Sequence, residues 1–185
     1  SGIIMRSTDN GSSFDNETSP TGNNLDGVVF GNNTLVAVGA SVNILRSTDN
    51  GSSFDNVTSG TGSNLEDVTF GNNTFVAVGY SGSIVRSTDN GSSFDNVTSG
   101  TNQNLFGVTF ANNTFVAVGQ SGNILRSTDN GSSWDNATSP TGTRLRGVTF
   151  GNNTFVGVGD SGTIVRSTDN GTTWDNATGP TGNTS

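Results

Sequence analysis

Ser87-Thr88-Asp89-Asn90-Gly91-Ser92-Ser93-Phe94 is one of five near-identical phrases set forty residues apart. The others run from Ser7 to Phe14, Ser47 to Phe54, Ser127 to Trp134 and Ser167 to Trp174. A fixed period of this length marks a repeat architecture, in which a unit buries its apolar face only by stacking on its neighbours. Around the phrase, the unit Thr61 to Gly100 predicts four short strands. Strand A is Leu65 to Phe70, B is Phe75 to Gly79, C is Ser83 to Thr88 and D is Ser93 to Thr98. Asn72-Asn73 and Asn90-Gly91 fall at two tight turns, and both residue types accept the positive φ of a two-residue hairpin. A longer loop around Tyr80-Ser81-Gly82 joins B to C. No stretch carries a 3.6-residue apolar period, so no helix is predicted.

The pattern of apolar residues sets the burial. Phe75, Val76, Ala77 and Val78 run without a polar break, so strand B is expected to be covered on both faces. With the turn at Asn72-Asn73, Phe70 falls opposite Phe75 and Val68 opposite Ala77. Strand D is mostly polar, as suits an outer edge. A four-stranded meander, buried at one edge and wet at the other, predicts an all-β fold of β-propeller blades. A parallel β-solenoid is the rival, and two-residue turns disfavour it. The expected organisation is one domain over residues 1–185, with a C–D half-blade at 1–20 and complete blades at 21–60, 61–100, 101–140 and 141–180.

Composition narrows the partners. The net charge is −8, with seven basic residues and no His. An acidic chain without a basic cluster is not expected to bind nucleic acid or an anionic membrane surface. No apolar run approaches the ~20 residues of a spanning helix. Without Cys, thiolate metal sites and disulfides are excluded, and no cofactor is expected. Compartment stays open, an extracellular or cell-surface setting being slightly favoured.

The phrase Ser-x-Asp-x-Gly-x-x-Trp/Phe resembles the Asp-box of the sialidase-type (BNR) repeat families. The longer string from Asn153 to Trp174 is similar to the repeats of bacterial photosystem II assembly-factor-like propellers. The resemblance implies that the phrase sits at the C–D hairpin, away from the ligand face, and is structural. Asp9, Asp49, Asp89, Asp129 and Asp169 would then accept backbone N–H groups within their own turns. Phe14, Phe54, Phe94, Trp134 and Trp174 would wedge between hairpins. Phe stands at three of these positions where Trp is usual in the family, which implies weaker packing on the same fold. Calcium binding by these loops is the alternative, set aside because two carboxylates per loop fall short of a calcium shell. Arg46 falls opposite Asp55, Arg86 opposite Asp95 and Arg126 opposite Asp135, so each Arg is expected to form an exposed cross-strand ion pair worth about 0–1 kcal/mol.

Counting gives five C–D hairpins and four A–B hairpins; five full blades would need fifteen residues more than the 185 present. A monomer with a half-blade, a larger ring shared by two chains, or a fragment of a longer array would each account for this. Because an unclosed array exposes an apolar face, a homo-oligomer through the incomplete ends is the expectation.

The repeats differ in few places. They are the start of strand A (Asp26, Glu66, Phe106, Arg146), the B–C loop (Ala40, Tyr80, Gln120, Asp160) and the D–A loop (Thr143-Arg144 and its equivalents). In a meander blade the last two emerge on one face. Asp26, Glu66, Tyr80, Phe106, Gln120, Arg146 and Asp160 are therefore the candidate ligand-binding residues. No catalytic residue is assigned: there is no histidine base, and Tyr80 is the single Tyr. The expected function is a non-catalytic binding or scaffolding module. Its partner on the loop face would be a protein or peptide, as the assembly-factor resemblance implies. A lectin-like glycan-binding module and an amplified or designed repeat protein without a ligand are the alternatives.

Overall fold

The computed structural model describes residues 2–177. The chain begins with a two-stranded hairpin, β1 (Ile4–Arg6) and β2 (Asp15–Glu17). Four antiparallel four-stranded sheets follow, each in the order A-B-C-D. The first comprises β3 (Leu25–Gly31), β4 (Thr34–Gly39), β5 (Ile44–Ser47) and β6 (Asp55–Val57). The second has β7 (Leu65–Gly71), β8 (Thr74–Gly79), β9 (Ile84–Ser87) and β10 (Asp95–Val97). The third has β11 (Leu105–Ala111), β12 (Thr114–Gly119), β13 (Ile124–Ser127) and β14 (Asp135–Asn136), and the fourth β15 (Leu145–Gly151), β16 (Thr154–Gly159), β17 (Ile164–Ser167) and β18 (Asp175–Asn176). The expected end of the last blade, residue 180, lies outside the described residues.

The A–B hairpins turn as expected. Asn72 and Asn73 have φ of 47° and 57°, the conformation of a primed two-residue turn, and Phe70 pairs with Phe75 and Val68 with Ala77. The C–D connection departs from expectation. The C–D ladder ends at the pair of Arg46 and Asp55, so the link is an eight-residue loop, 47–54, that holds the phrase, with a shorter strand D beyond it. No α-helix occurs among the described residues. The B–C loops of the last three sheets tighten into single 3-10 turns, such as Tyr80–Gly82, with Ser81 at φ 56°.

In the second and third blades both faces of strand B are covered. Val36, Val38 and Ile44 of the first blade pack forward against Leu65, Val68, Phe75, Ala77, Val85 and Phe94 of the second. Equivalent clusters join the second blade to the third and the third to the fourth. Full burial of one such ring, as at Phe75, stabilises by about 1.5–3 kcal/mol. The Phe70 ring lies directly over Gly31 of the preceding blade, and the Phe110 ring over Gly71; a Cβ at either glycine would overlap the ring.

The phrase folds into its own turn. At Asp49, Oδ1 accepts from the Ser47 hydroxyl (2.8 Å) and the Ser53 N–H (3.0 Å), while Oδ2 accepts from the Ser53 hydroxyl (2.7 Å). The Ser47 hydroxyl oxygen in turn accepts the Gly51 N–H at 2.9 Å. Gly51 itself takes φ of 81°, where a side chain would be strained. These bonds, the one from the Ser53 side chain foremost, hold the Asp49 carboxyl at about 2. Asp9, Asp89, Asp129 and Asp169 are likewise held at about 2. At Asp129 burial is the largest single effect and acts upward, but the bonds from Ser133 and Ser127 outweigh it. Trp134 and Trp174 add an indole N–H bond to the Gly131 and Gly171 carbonyls, at 3.3 and 3.1 Å, which Phe cannot make.

The repeated Arg requires a correction. The register is as expected, Arg46 opposite Asp55 and Arg86 opposite Asp95, but no ion pair joins them. The side chain instead crosses to the next unit. Arg6 Nε donates to the Asn50 carbonyl (2.7 Å), Arg46 to Asn90 (2.9 Å), Arg86 to Asn130 (2.7 Å) and Arg126 to Asn170 (2.8 Å). The side-chain amide of the same Asn reaches back: Asn90 Nδ2 donates to Thr34 Oγ1 at 2.7 Å, and Asn130 to Thr74 at 2.6 Å. The phrase is thus the receiving half of a latch between blades. In the first hairpin the ion pair goes to Glu17, 3.5 Å from Arg6, rather than to Asp15.

Two measurements follow from these bonds. Arg86→Ala removes a half-buried, charge-assisted bond and should cost about 1.5–3 kcal/mol in urea unfolding, with Arg86→Lys recovering only part. The Asp carboxyls favour their charged form in the folded chain. Their stabilisation is therefore complete above the ordinary value of 3.8 and is lost as pH falls toward about 2. The melting temperature should drop across that window, and Asp129→Asn should lower it at neutral pH while reducing the drop.

Candidate functional site

The variable residues converge because two local devices recur in each blade. Strand A carries a β-bulge between Leu65 and Asp67, and the residue in it is Glu66; Asp26, Phe106 and Arg146 occupy the equivalent bulges. A bulge re-aims a side chain out of the sheet's alternation. The B–C loop then folds back over it. The Tyr80 N–H donates to the Asn64 carbonyl (3.0 Å), Gln120 to Asn104 (2.8 Å) and Asp160 to Arg144 (3.0 Å). This close approach requires glycine at the end of strand B, since a Cβ on Gly79 would overlap the Asn64 carbonyl oxygen. The Ser81 N–H also reaches Asn104 Oδ1 of the following blade at 2.9 Å. The D–A and B–C loops therefore share one face, as the meander connectivity predicts.

On that face six of the seven candidates, with Arg144, form a continuous line. Burial, the nearby Asp26 carboxylate and, in the opposite sense, a hydrogen bond from Tyr80 act on Glu66, leaving its carboxyl above the usual range. The Tyr80 and Phe106 rings meet edge to face, with centroids 6.5 Å apart. The Arg144 guanidinium carbon lies 5.5 Å from the Phe106 centroid. Arg144 and Arg146 both pair with Asp160, Arg144 at 3.5 Å and Arg146 more closely. The hydrogen bond from Arg146 is the main cause that holds the Asp160 carboxyl below its usual range. The line thus runs from two acids through two aromatic rings to two guanidinium groups bridged by the Asp160 carboxylate. Gln120 stands exposed at its own loop tip, and none of these contacts involves its side chain.

Two residues at or near this face were not among the candidates. Arg144 belongs to the variable D–A loop, and its position over Phe106 was not readable from spacing. Asp67 stands where the other blades have Gly27, Gly107 and Gly147. Its carboxylate accepts the Val68 N–H and, across the blade boundary, the Val108 N–H, both at 2.9 Å, while burial raises its pKa. That single departure from glycine was the available signal.

No protein-family model matches the sequence, and a search of curated proteins finds no match. Solved structures do resemble it. A catalytically inactive H270A virginiamycin B lyase from Staphylococcus aureus, in complex with quinupristin, superposes with a TM-score of 0.80 and 22% identity over 94% of this chain and 62% of that one. YCF48, a photosystem II assembly factor, bound to a D1 peptide gives 0.71 and 18% over 94% and 59%. The computationally designed Ika4 protein gives 0.65 and 16% over 80% and 92%. The fold is a β-propeller. The chain spans about 59% of the YCF48 chain, and likeness at these identities establishes architecture alone.

Glu66 can be titrated by NMR of its side-chain carboxyl. Tyr80→Phe removes a bond that favours the charged form and should move the titration further up. Asp26→Asn removes a like charge and should move it down.

Proposed function

We propose that the chain is a non-catalytic binding propeller whose loop face takes an extended peptide or protein segment. The observation that carries this reading is the graded line of Asp26 and Glu66, Tyr80 and Phe106, and Arg144 and Arg146. Each blade presents the same backbone frame, yet its bulge and loop residues differ in chemical class. A repeated sugar site would call for the same aromatic platform in each blade, whereas a peptide that crosses several blades meets a different pocket in each. Aromatic and Arg side chains at the centre of a face are the types that anchor protein partners. Such a segment would place basic groups over Asp26 and Glu66, an apolar side chain against Tyr80 and Phe106, and a carboxylate near Arg146. A hydrolytic role is less well supported, because Arg144 and Arg146 already engage both oxygens of Asp160.

The test is a peptide array that pairs basic-apolar-acidic sequences with their charge-reversed counterparts, followed by fluorescence anisotropy on the hits. Binding should favour the first polarity and weaken about 30-fold with Phe106→Ala, the effect of a central anchor. Selective capture on a glycan array, or turnover of a glycoside panel, would overturn the reading.

A further inference from the structure

The seam between the second and third blades differs from the seams on either side of it. Where strand A of one blade faces strand A of the next, the residue after the bulge is Gly27, Gly107 or Gly147 in three blades and Asp67 in the second. The glycines permit a close approach. A Cβ on Gly27 would stand 3.0 Å from the Asp67 Cα, and one on Gly107 would stand 3.0 Å from the Gly147 Cα. Asp67 instead puts a side chain into its seam, where Oδ1 accepts the Val68 N–H and Oδ2 the Val108 N–H, both at 2.9 Å. Val68 and Val108 lie on β7 and β11, each the edge strand of its sheet. The carboxylate therefore joins two strand edges that their own ladders leave unpaired. A second bond crosses the same seam, from the Ser81 N–H to Asn104 Oδ1 at 2.9 Å. A bond of that second kind also crosses the preceding seam, from the Ser41 N–H to Asn64 Oδ1 at 2.9 Å. Among the described residues the carboxylate bridge occurs only at Asp67.

We infer that Asp67 is a positioning residue of the loop face, whose carboxylate pins the Phe106 bulge of the third blade in place against Tyr80 of the second. Phe106 lies in the chain between Asn104 and Val108, so the two bonds across the seam hold the stretch on either side of its bulge. Tyr80 adjoins Ser81, and Glu66 adjoins Asp67. The three residues in the middle of the line thus each sit within two positions of a group that bonds across this seam. The bridge is costly. Burial outweighs the two N–H bonds and leaves the Asp67 carboxyl above its usual range, so the fold disfavours its charged form. Glycine fills the same place in the other three blades without that cost. A residue unfavourable to the fold, placed at the seam where the Tyr80 and Phe106 rings meet, fits a role in the site rather than in stability. The role rests on reading the loop face as a binding surface, but the geometry it requires is present without a partner.

Solution NMR of the intact chain, with no peptide added, tests this. Tyr80 is the single Tyr, so its ring signals are unambiguous. In the unaltered chain they should give nuclear Overhauser peaks to the Phe106 ring, and the Val108 amide should exchange slowly. Asp67→Gly installs the residue of the other blades, and circular dichroism should show the fold retained. This variant should lose the Tyr80–Phe106 peaks and speed exchange at Val108 about tenfold, the effect of one lost hydrogen bond to a charged group. It should keep the peaks between Phe110 and Phe115 of the third blade, whose centroids are 4.5 Å apart. Asp67→Asn keeps the shape and one acceptor oxygen and should fall between the two; it carries the same readouts if Asp67→Gly does not fold. Tyr80–Phe106 peaks undiminished in the folded variants, or unchanged exchange at Val108, would overturn the inference. So would an equal loss of the Phe110–Phe115 peaks, which would mark Asp67 as a general stabiliser. A loop face that captures no peptide would remove the proposed function and leave these readouts as they are.

Discussion

A strand that is apolar on both faces cannot be satisfied within one sheet. Strand B of each unit is such a strand, and the architecture follows from finding it two neighbours. Val36 and Val38 look forward to the next blade, while Ala37 looks back. Each inner blade is thus half of two cores, and cohesion lies in the interfaces between sheets more than in any single sheet. The Arg-to-Asn latch works at the same interfaces but farther out, where the apolar layer gives way to the polar strands C and D. Between them the two contacts fix the distance from one blade to the next, so that a site made from several blades has a defined geometry.

Much of this was legible because it is local. The Asn-Asn turn set the A–B register, and the pairing of Phe70 with Phe75 followed by counting. The partner of the repeated Arg was not legible for the converse reason. Counting across one hairpin identifies the residue opposite Arg46, which is Asp55, but the bond goes to a carbonyl forty-four residues on, in another sheet. Register within a repeat carries no information about the displacement between repeats. A backbone acceptor also leaves no trace in side-chain identity. The loop phrase suffered similarly. Asn50 and Gly51 do take positive φ, but the hydrogen bonds of Ser47 and Asp49 extend the turn into a longer loop.

The candidate site was legible as a set of positions and not as an arrangement. Variation among otherwise uniform repeats singled out the residues now seen in the bulge and the B–C loop. What the variation did not show is that the bulge turns Glu66 toward Tyr80 within one blade, or that Phe106 lies between Tyr80 of the blade before and Arg144 of the blade after. These contacts depend on the twist between neighbouring sheets, which no single repeat encodes.

The ends of the array show what the repeats alone do not resolve. Arg126 is half-buried by the following blade, whereas Arg166, at the same place in the last described blade, is exposed, as is Val158. Leu65, Leu105 and Leu145 are fully buried by the blade behind each, whereas Leu25, behind which only a hairpin stands, is not. Identical residues therefore change from core to surface solely by position. The loop face is spared this effect, because its residues contact one another along the array and those of the inner blades have neighbours on both sides.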